Sequence, residues 1–276
     1  MSQTFAPSKS SACLAVYTLA EREWVRFVRQ RNRVFGAIGQ PIIFWLLFGA
    51  GLGPSFRLPD NSSNLSYREY FFPGSLILIL LFTAIFATIS IIEDRREGFL
   101  QSVLVAPLPR WAMVLGKVLG GSLIAIAQGL LFLVLGLTIG IKLSLLSFAG
   151  IVAFLFLVAL ALVSLGFVLA WRLDSTQGFH AIMSVLLLPM WLLSGAFFPP
   201  GGGWLAWIIW LNPLTYGVAG LRHLLYWQAP IEVRAAALPA ELPKMPTCLI
   251  VTLVFAGVAF AVACLVAKQR TAGDLL

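Results

Sequence analysis

Six stretches of this sequence, residues 34–52, 71–92, 118–141, 145–171, 179–198 and 248–267, contain no Asp, Glu, Lys or Arg. A helix needs about 20 apolar residues to cross the hydrocarbon core of a bilayer, and these runs have that length. Charged residues make up 11% of the chain, against about 25% in a soluble domain. The expected fold is therefore an all-α integral membrane protein with six transmembrane helices. Residues 1–33 form an N-terminal segment, 34–267 a single membrane domain and 268–276 a tail.

The first apolar patch, residues 13–20, is at the short limit for a cleavable signal and runs into the dense charge of residues 21–33, so a signal peptide is not expected. If the N-terminus starts inside and the spans alternate, 13 of the 19 Lys and Arg fall on one side: Lys9, Arg22, Arg26, Arg29, Arg31, Arg33, Arg95, Arg96, Arg110, Lys117, Arg172, Lys268 and Arg270. That bias puts both termini in the cytoplasm. It also explains the net charge of +8 as a topology signal, with no nucleic-acid partner implied. Asn61 and Asn64 each open a formal glycosylation sequon in the outer loop 53–70, which carries little weight on so short a pattern.

Three segments outside the spans stand out. Arg22, Arg26, Arg29 and Arg33 recur at helical spacing, with Val16, Tyr17, Ala20, Trp24, Phe27 and Val28 falling opposite them. Such a helix lies in the membrane interface, either as a basic flank that fixes topology or as a gate or coupling element. After residue 198, the Pro/Gly break 199–203 leads to two apolar segments too short to span, with Asn212 as N-cap and Pro213 at the first helical position. They read as a re-entrant hairpin dipping in from outside. Trp204, Trp207, Tyr216 and Arg222 belong to it, and Trp204, Trp207, Trp210 and Trp227 suit the interface, the hairpin being either a plain aromatic belt or a lid on a substrate path. The third segment is Glu93–Glu97, five consecutive charges between two apolar spans. It continues into Phe99-LQSVLV-Val105, whose Phe99, Leu100, Val103 and Leu104 share a face. A docking helix is preferred there over a solvated spacer.

Several chemistries are missing. No lysine has the Gly-rich lead-in and following Ser or Thr of a phosphate-binding loop, no acidic residue lies at mid-depth in a span, and His180 and His223 stand apart from any other metal ligand. Cys13, Cys248 and Cys264 lack metal or redox spacing. Thr83, Gln128, Ser164 and Thr252 read as helix–helix hydrogen-bonding groups. Gly116-KVL-Gly120 fits a close-packing pattern, a weak signal in a chain with 24 glycines. The result is a transport path without an engine.

Residues 93–117, EDRREGFLQSVLVAPLPRWAMVLGK, together with SGAFFPP at 194–200 and LNPLTYGVAGLRHLLY at 211–226, resemble the two signatures of type-2 ABC transporter permeases, most fully the subgroup of nodulation-factor exporters and drug-resistance permeases. Phe99 stands where that family often has Thr. The resemblance covers roughly residues 15–268. It implies an exporter permease without its own ATPase site, paired with a second copy in the bacterial inner membrane and docked to a separate ATP-binding cassette subunit that holds the ATP and Mg. It further implies a coupling helix in which Glu97, Gly98, Phe99, Leu100 and Leu104 touch that subunit, keyed by Glu93, Asp94, Arg95 and Arg96, and an interfacial connecting helix at Arg22–Arg33. The implied cargo is amphipathic, lipid-linked or drug-like, with membrane lipids around it; the absence of buried charge disfavours a small ionic substrate. A polysaccharide or glycolipid exporter of the same architecture is the alternative, and a membrane-embedded lipid enzyme or scaffold a more distant one.

Overall fold

The computed structural model describes residues 9–52, 65–197, 203–239 and 241–269. The two sequons at Asn61 and Asn64, most of the Pro/Gly break and the end of the tail lie outside these residues. The described elements are helical: α1 (Lys9–Arg29), α2 (Arg31–Gly51), α3 (Tyr67–Arg96), α4 (Phe99–Val105), α5 (Arg110–Thr138), α6 (Leu145–Arg172), α7 (Thr176–Trp191) continuing into a π-turn (Leu192–Ala196), α8 (Trp204–Leu211), α9 (Pro213–Leu225), α10 (Ile231–Ala237) and α11 (Met245–Lys268). Six are long and apolar enough to cross a membrane: α2, α3, α5, α6, α7 with its π-turn, and α11.

Side-chain caps mark where helices begin. Ser66 and Glu69 form a reciprocal capping box at the start of α3, Ser144 and Ser147 do so at α6, and Ser175 accepts from the Gly178 N–H at α7. Asn212 Oδ1 accepts from the Leu214 N–H at 3.0 Å, with Pro213 in the first turn of α9, as its sequence requires. α3 is the axis of the bundle: 94% of its apolar stretch is buried, against 22% for α2 and 28% for α11. Apolar side chains such as Phe35 and Leu47 on α2, and Ile250, Leu253 and Val254 on α11, stay exposed. Exposed apolar surface on this scale suits acyl chains rather than water.

Between α3 and α5, Thr83 Oγ1 sits against Gln128 Oε1, a buried polar contact that joins two spans. Ser164 and Thr252, also expected to link helices, are buried with no hydrogen-bond partner for their hydroxyls among the described residues.

The amphipathic reading of α1 needs revision. Its protein-facing stripe is Ala12, Ala15, Leu19, Glu23 and Phe27, while Tyr17, Trp24 and Val28 are exposed. The stripe lies on α5, where Gly116 and Gly120 make the approach possible. A Cβ at Gly116 would stand 2.8 Å from Leu19 Cβ and 3.0 Å from the Val16 carbonyl oxygen; one at Gly120 would stand 2.8 Å from Glu23 Cβ and 3.0 Å from the Ala20 carbonyl oxygen. The Gly116–Gly120 pair, weak as a sequence pattern, is the groove that seats α1.

Candidate functional site

The charges at Glu93–Glu97 are mostly not solvated. Glu93 to Arg96 form the last turn of α3, and successive side chains leave a helix about 100° apart. Asp94 turns fully inward toward α1 and α5. Its Oδ1 accepts from Arg22 Nη2 at 2.7 Å and Arg26 Nη1 at 2.5 Å, and its Oδ2 from Arg22 Nη1 at 2.9 Å and Lys117 Nζ at 2.5 Å. Lys117 Nζ also donates to Glu23 Oε1 at 2.7 Å. Arg26 reaches Glu93 Oε2 at 2.9 Å and Glu97 Oε1 at 3.2 Å, and Arg33 donates to Glu93.

The result is a knot of four carboxylates (Glu23, Glu93, Asp94, Glu97) and four cations (Arg22, Arg26, Arg33, Lys117), formally neutral, tying α1, the start of α2, the end of α3 and α5 together. Glu23, Asp94 and Lys117 are buried at its centre. Ions removed from water are tolerable only when paired and hydrogen-bonded, and here each of the three central groups is. Burial opposes the charge of Arg22, but the Asp94 carboxylate more than offsets this and holds the guanidinium above its ordinary pKa. The same guanidinium lies 3.6 Å from the ring centroid of Phe99 on α4.

Arg95 and Arg96 turn the other way. Arg95 donates to Asp174 Oδ1 at 2.9 Å and to the Trp171 and Leu173 carbonyls at 2.6 and 3.3 Å; Arg96 donates to the Asp174 carbonyl at 2.7 Å. Arg95 thus satisfies carbonyls that the end of α6 leaves without an intrahelical partner.

Next in the chain, Gly98 takes φ 76°, a left-handed conformation that lets α4 start immediately after α3 at a new angle. Leu100 is buried, and Phe99, Val103 and Leu104 pack partly against the core. The apolar edge of α4 therefore faces the protein, because that is where it finds apolar surface. Asp94, Arg95 and Leu100 are turned away from any docking partner. Exposed there are Arg96, Glu97, Ser102 and Val105, the last at 86%. Beside Glu97 an open cleft of about 570 Å³ runs along α1 past Thr18, Arg22 and Arg29. Of the interfacial residues named from sequence, Arg22, Arg26 and Arg33 enter the knot, while Arg29 and Trp24 remain exposed. Sequence reasoning missed Glu23, Lys117 and Asp174. The one available signal was Lys117, a lysine set seven residues into an apolar helix, where a charge without a partner is costly.

At the other end of α3 a second polar set closes the bundle. Trp191 Nε1 donates to the Gly74 carbonyl at 2.7 Å, Asn212 Nδ2 to the Met190 carbonyl, and Tyr226 OH to the Glu69 carbonyl at 2.6 Å. Tyr216 OH donates to the Trp210 carbonyl at 2.9 Å. Trp204 and Trp207 are exposed, whereas Arg222 is 1% exposed. Buried charge is thus present at both ends of the bundle, and the sequence-based reason for disfavouring an ionic cargo falls away.

Residues 15–226 match the ABC-2 type transporter family. The chain is 29% identical over 216 residues to a putative transport permease ycf38 of Cyanophora paradoxa, covering 76% of this chain and 73% of that one. It is 27% identical to the ycf38 permease of Porphyra purpurea, with the same coverage, and 26% identical to the probable multidrug ABC transporter permease YbhR of Escherichia coli K12, over 62% of this chain and 47% of that protein. With six membrane-crossing helices and a family match over most of its length, the chain belongs to the ABC-2 type transporter family and is a membrane-embedded permease subunit.

Proposed function

We propose that the α4 end of the bundle faces the cytoplasm and docks the ATP-binding subunit that the family implies, and that the permease works as a pair in a bacterial inner membrane. ATP hydrolysed by that subunit drives export of an amphipathic, lipid-linked or drug-like molecule. One observation carries this reading: α4 is joined to the membrane helices by Gly98, by Leu100 in the core and by Arg22 over Phe99, with the ion knot directly behind it. A push on the exposed face of α4 would reach α1, α3 and α5 together. The excess of Lys and Arg at this end supports the cytoplasmic assignment. The names of the relatives, putative transport permease for ycf38 and probable multidrug ABC transporter permease for YbhR, support a transporter, and the second supports an exporter.

Ser102 and Val105 are the residues with which to test docking, because they are exposed and lie outside the knot. Replacing Glu93–Glu97 would strip the knot of three of its carboxylates and damage the fold itself. Ser102→Lys combined with Val105→Asp is expected to abolish co-purification of an ATP-binding subunit from detergent extracts while leaving the permease monodisperse. If wild type and variant both come down without any such subunit, the ATP-driven reading is wrong. For the topology, a cysteine at Lys244 is expected to be labelled by an impermeant thiol reagent added to intact cells and one at Arg96 to be protected. The reverse pattern would invert the orientation.

A further inference from the structure

Arg222 makes no ion pair among the described residues, although it is buried in a membrane domain. Its Nη2 donates to the Gly195 carbonyl at 2.8 Å and to the Tyr70 carbonyl at 3.4 Å, and its guanidinium centre lies 4.0 Å from the Tyr70 ring centroid. Its Nε and Nη1 have no acceptor among the described residues.

Gly195 is where the fifth span breaks. It sits in the π-turn with φ 74° and ψ 9°, non-helical angles that interrupt the helix and turn its carbonyl toward side chains. Tyr70 OH, at 3.1 Å, and Arg222 take that carbonyl from α3 and α9 respectively. On its other side α9 packs closely on α6: a Cβ at Gly220 would stand 2.3 Å from Phe154 Cζ. Arg222 joins α9 to the broken end of the fifth span and to the first turns of α3.

We infer that Arg222 is a positioning residue, a latch that holds the π-turn closed against α9 and α3, and that this end of the bundle opens when the contact releases. A methionine of similar length would avoid the cost of a buried charge but could not reach a stranded carbonyl with a charged donor. Among the described residues the three N–H groups on Nε and Nη1 have no acceptor, which keeps the closed state from being deep. The latch is therefore releasable. Its use in transport rests on the function proposed above; the latch itself does not.

The test uses the full chain in nanodiscs, with Cys13 and Cys264 replaced by Ser, Ser194→Cys introduced as the reporter and native Cys248 kept as an internal reference. Both reporter positions are buried, at 1% and 0% exposure. Modification by a charged maleimide is followed at each position by peptide mass spectrometry. Arg222→Met is expected to speed modification at position 194 at least tenfold with Cys248 still protected, and Arg222→Lys, which keeps a charged donor, to give a smaller increase. An unchanged rate at position 194 in Arg222→Met overturns the latch. If Arg222→Met exposes both thiols, Tyr70→Phe decides: a several-fold rise confined to position 194 supports the latch, and no rise rejects it. With an ATP-binding partner reconstituted, ATP is expected to speed modification of position 194 in the Arg222 protein. Absence of that effect counts against the transport reading, while the variant series still judges the latch.

Discussion

Asp94→Leu is expected to destabilise the helix junction by about 3–5 kcal/mol, the cost of breaking a buried ion pair by removing one partner. Asp94 accepts four hydrogen bonds from three cations. Without it Lys117 keeps only Glu23, and Arg22 loses both of its hydrogen-bonded oxygens. A drop of many degrees in the melting temperature of the purified permease should follow, with most of the protein aggregating on size exclusion. Adding Lys117→Met removes the buried cation that loses one of its two carboxylates and restores the charge balance of the knot, so the double variant should recover part of the loss, a coupling that a double-mutant cycle reads directly. A melting temperature unchanged by Asp94→Leu would show that the knot does not hold these helices together.

The second large effect is expected at Gly120. Its missing Cβ leaves room for backbone atoms of α1, and backbone cannot step aside as the tip of a side chain can. Gly120→Leu must therefore lift α1 off α5, with an overpacking cost of about 1–3 kcal/mol or more. Because Arg22, Glu23 and Arg26 sit on the displaced helix, the ion knot is strained with it. Limited trypsin digestion should then cut within α1 at Arg22 and Arg26, sites shielded in the wild type. Gly257→Ala is the contrast. A Cβ at Gly257 meets nothing within 4 Å, so this change is expected to be neutral or to stabilise α11 by up to about 1 kcal/mol. Equal effects at the two glycines would mean that helix propensity, and not the α1 groove, sets the outcome.

Damage at Gly120 should reach function through geometry. α4 is stacked under Arg22, so a displaced α1 also unseats the face proposed to receive the ATP-binding subunit. The two variants therefore separate two roles of one assembly: Asp94 supplies the pairing, and Gly120 supplies the fit that makes the pairing possible.

The sequence by itself determined what depends on neighbours along the chain. Hydropathy over 20 residues is a local property, so the six spans were legible, as were the cap at Asn212 with Pro213 and the excess of basic residues at one end. The resemblance carried by residues 93–117 and 211–226 led to the family. Tertiary structure decided everything that required choosing a partner. Asp94 pairs with Arg22 across 72 residues and Lys117 with Glu23 across 94, separations at which no periodicity operates. The Glu93–Glu97 run therefore read as the outward key of a docking helix, although consecutive residues on a helix must point in different directions and here reach four other helices, α1, α2, α5 and α6. Gly116 and Gly120 were two glycines among 24 until α1 lay across them. Arg222 was only one residue of a re-entrant hairpin because sequence cannot tell that the fifth span breaks at Gly195 and turns a carbonyl to within its reach. Hydrophobicity fixes which segments enter the membrane; the placement of charge within it is fixed only when the helices pack.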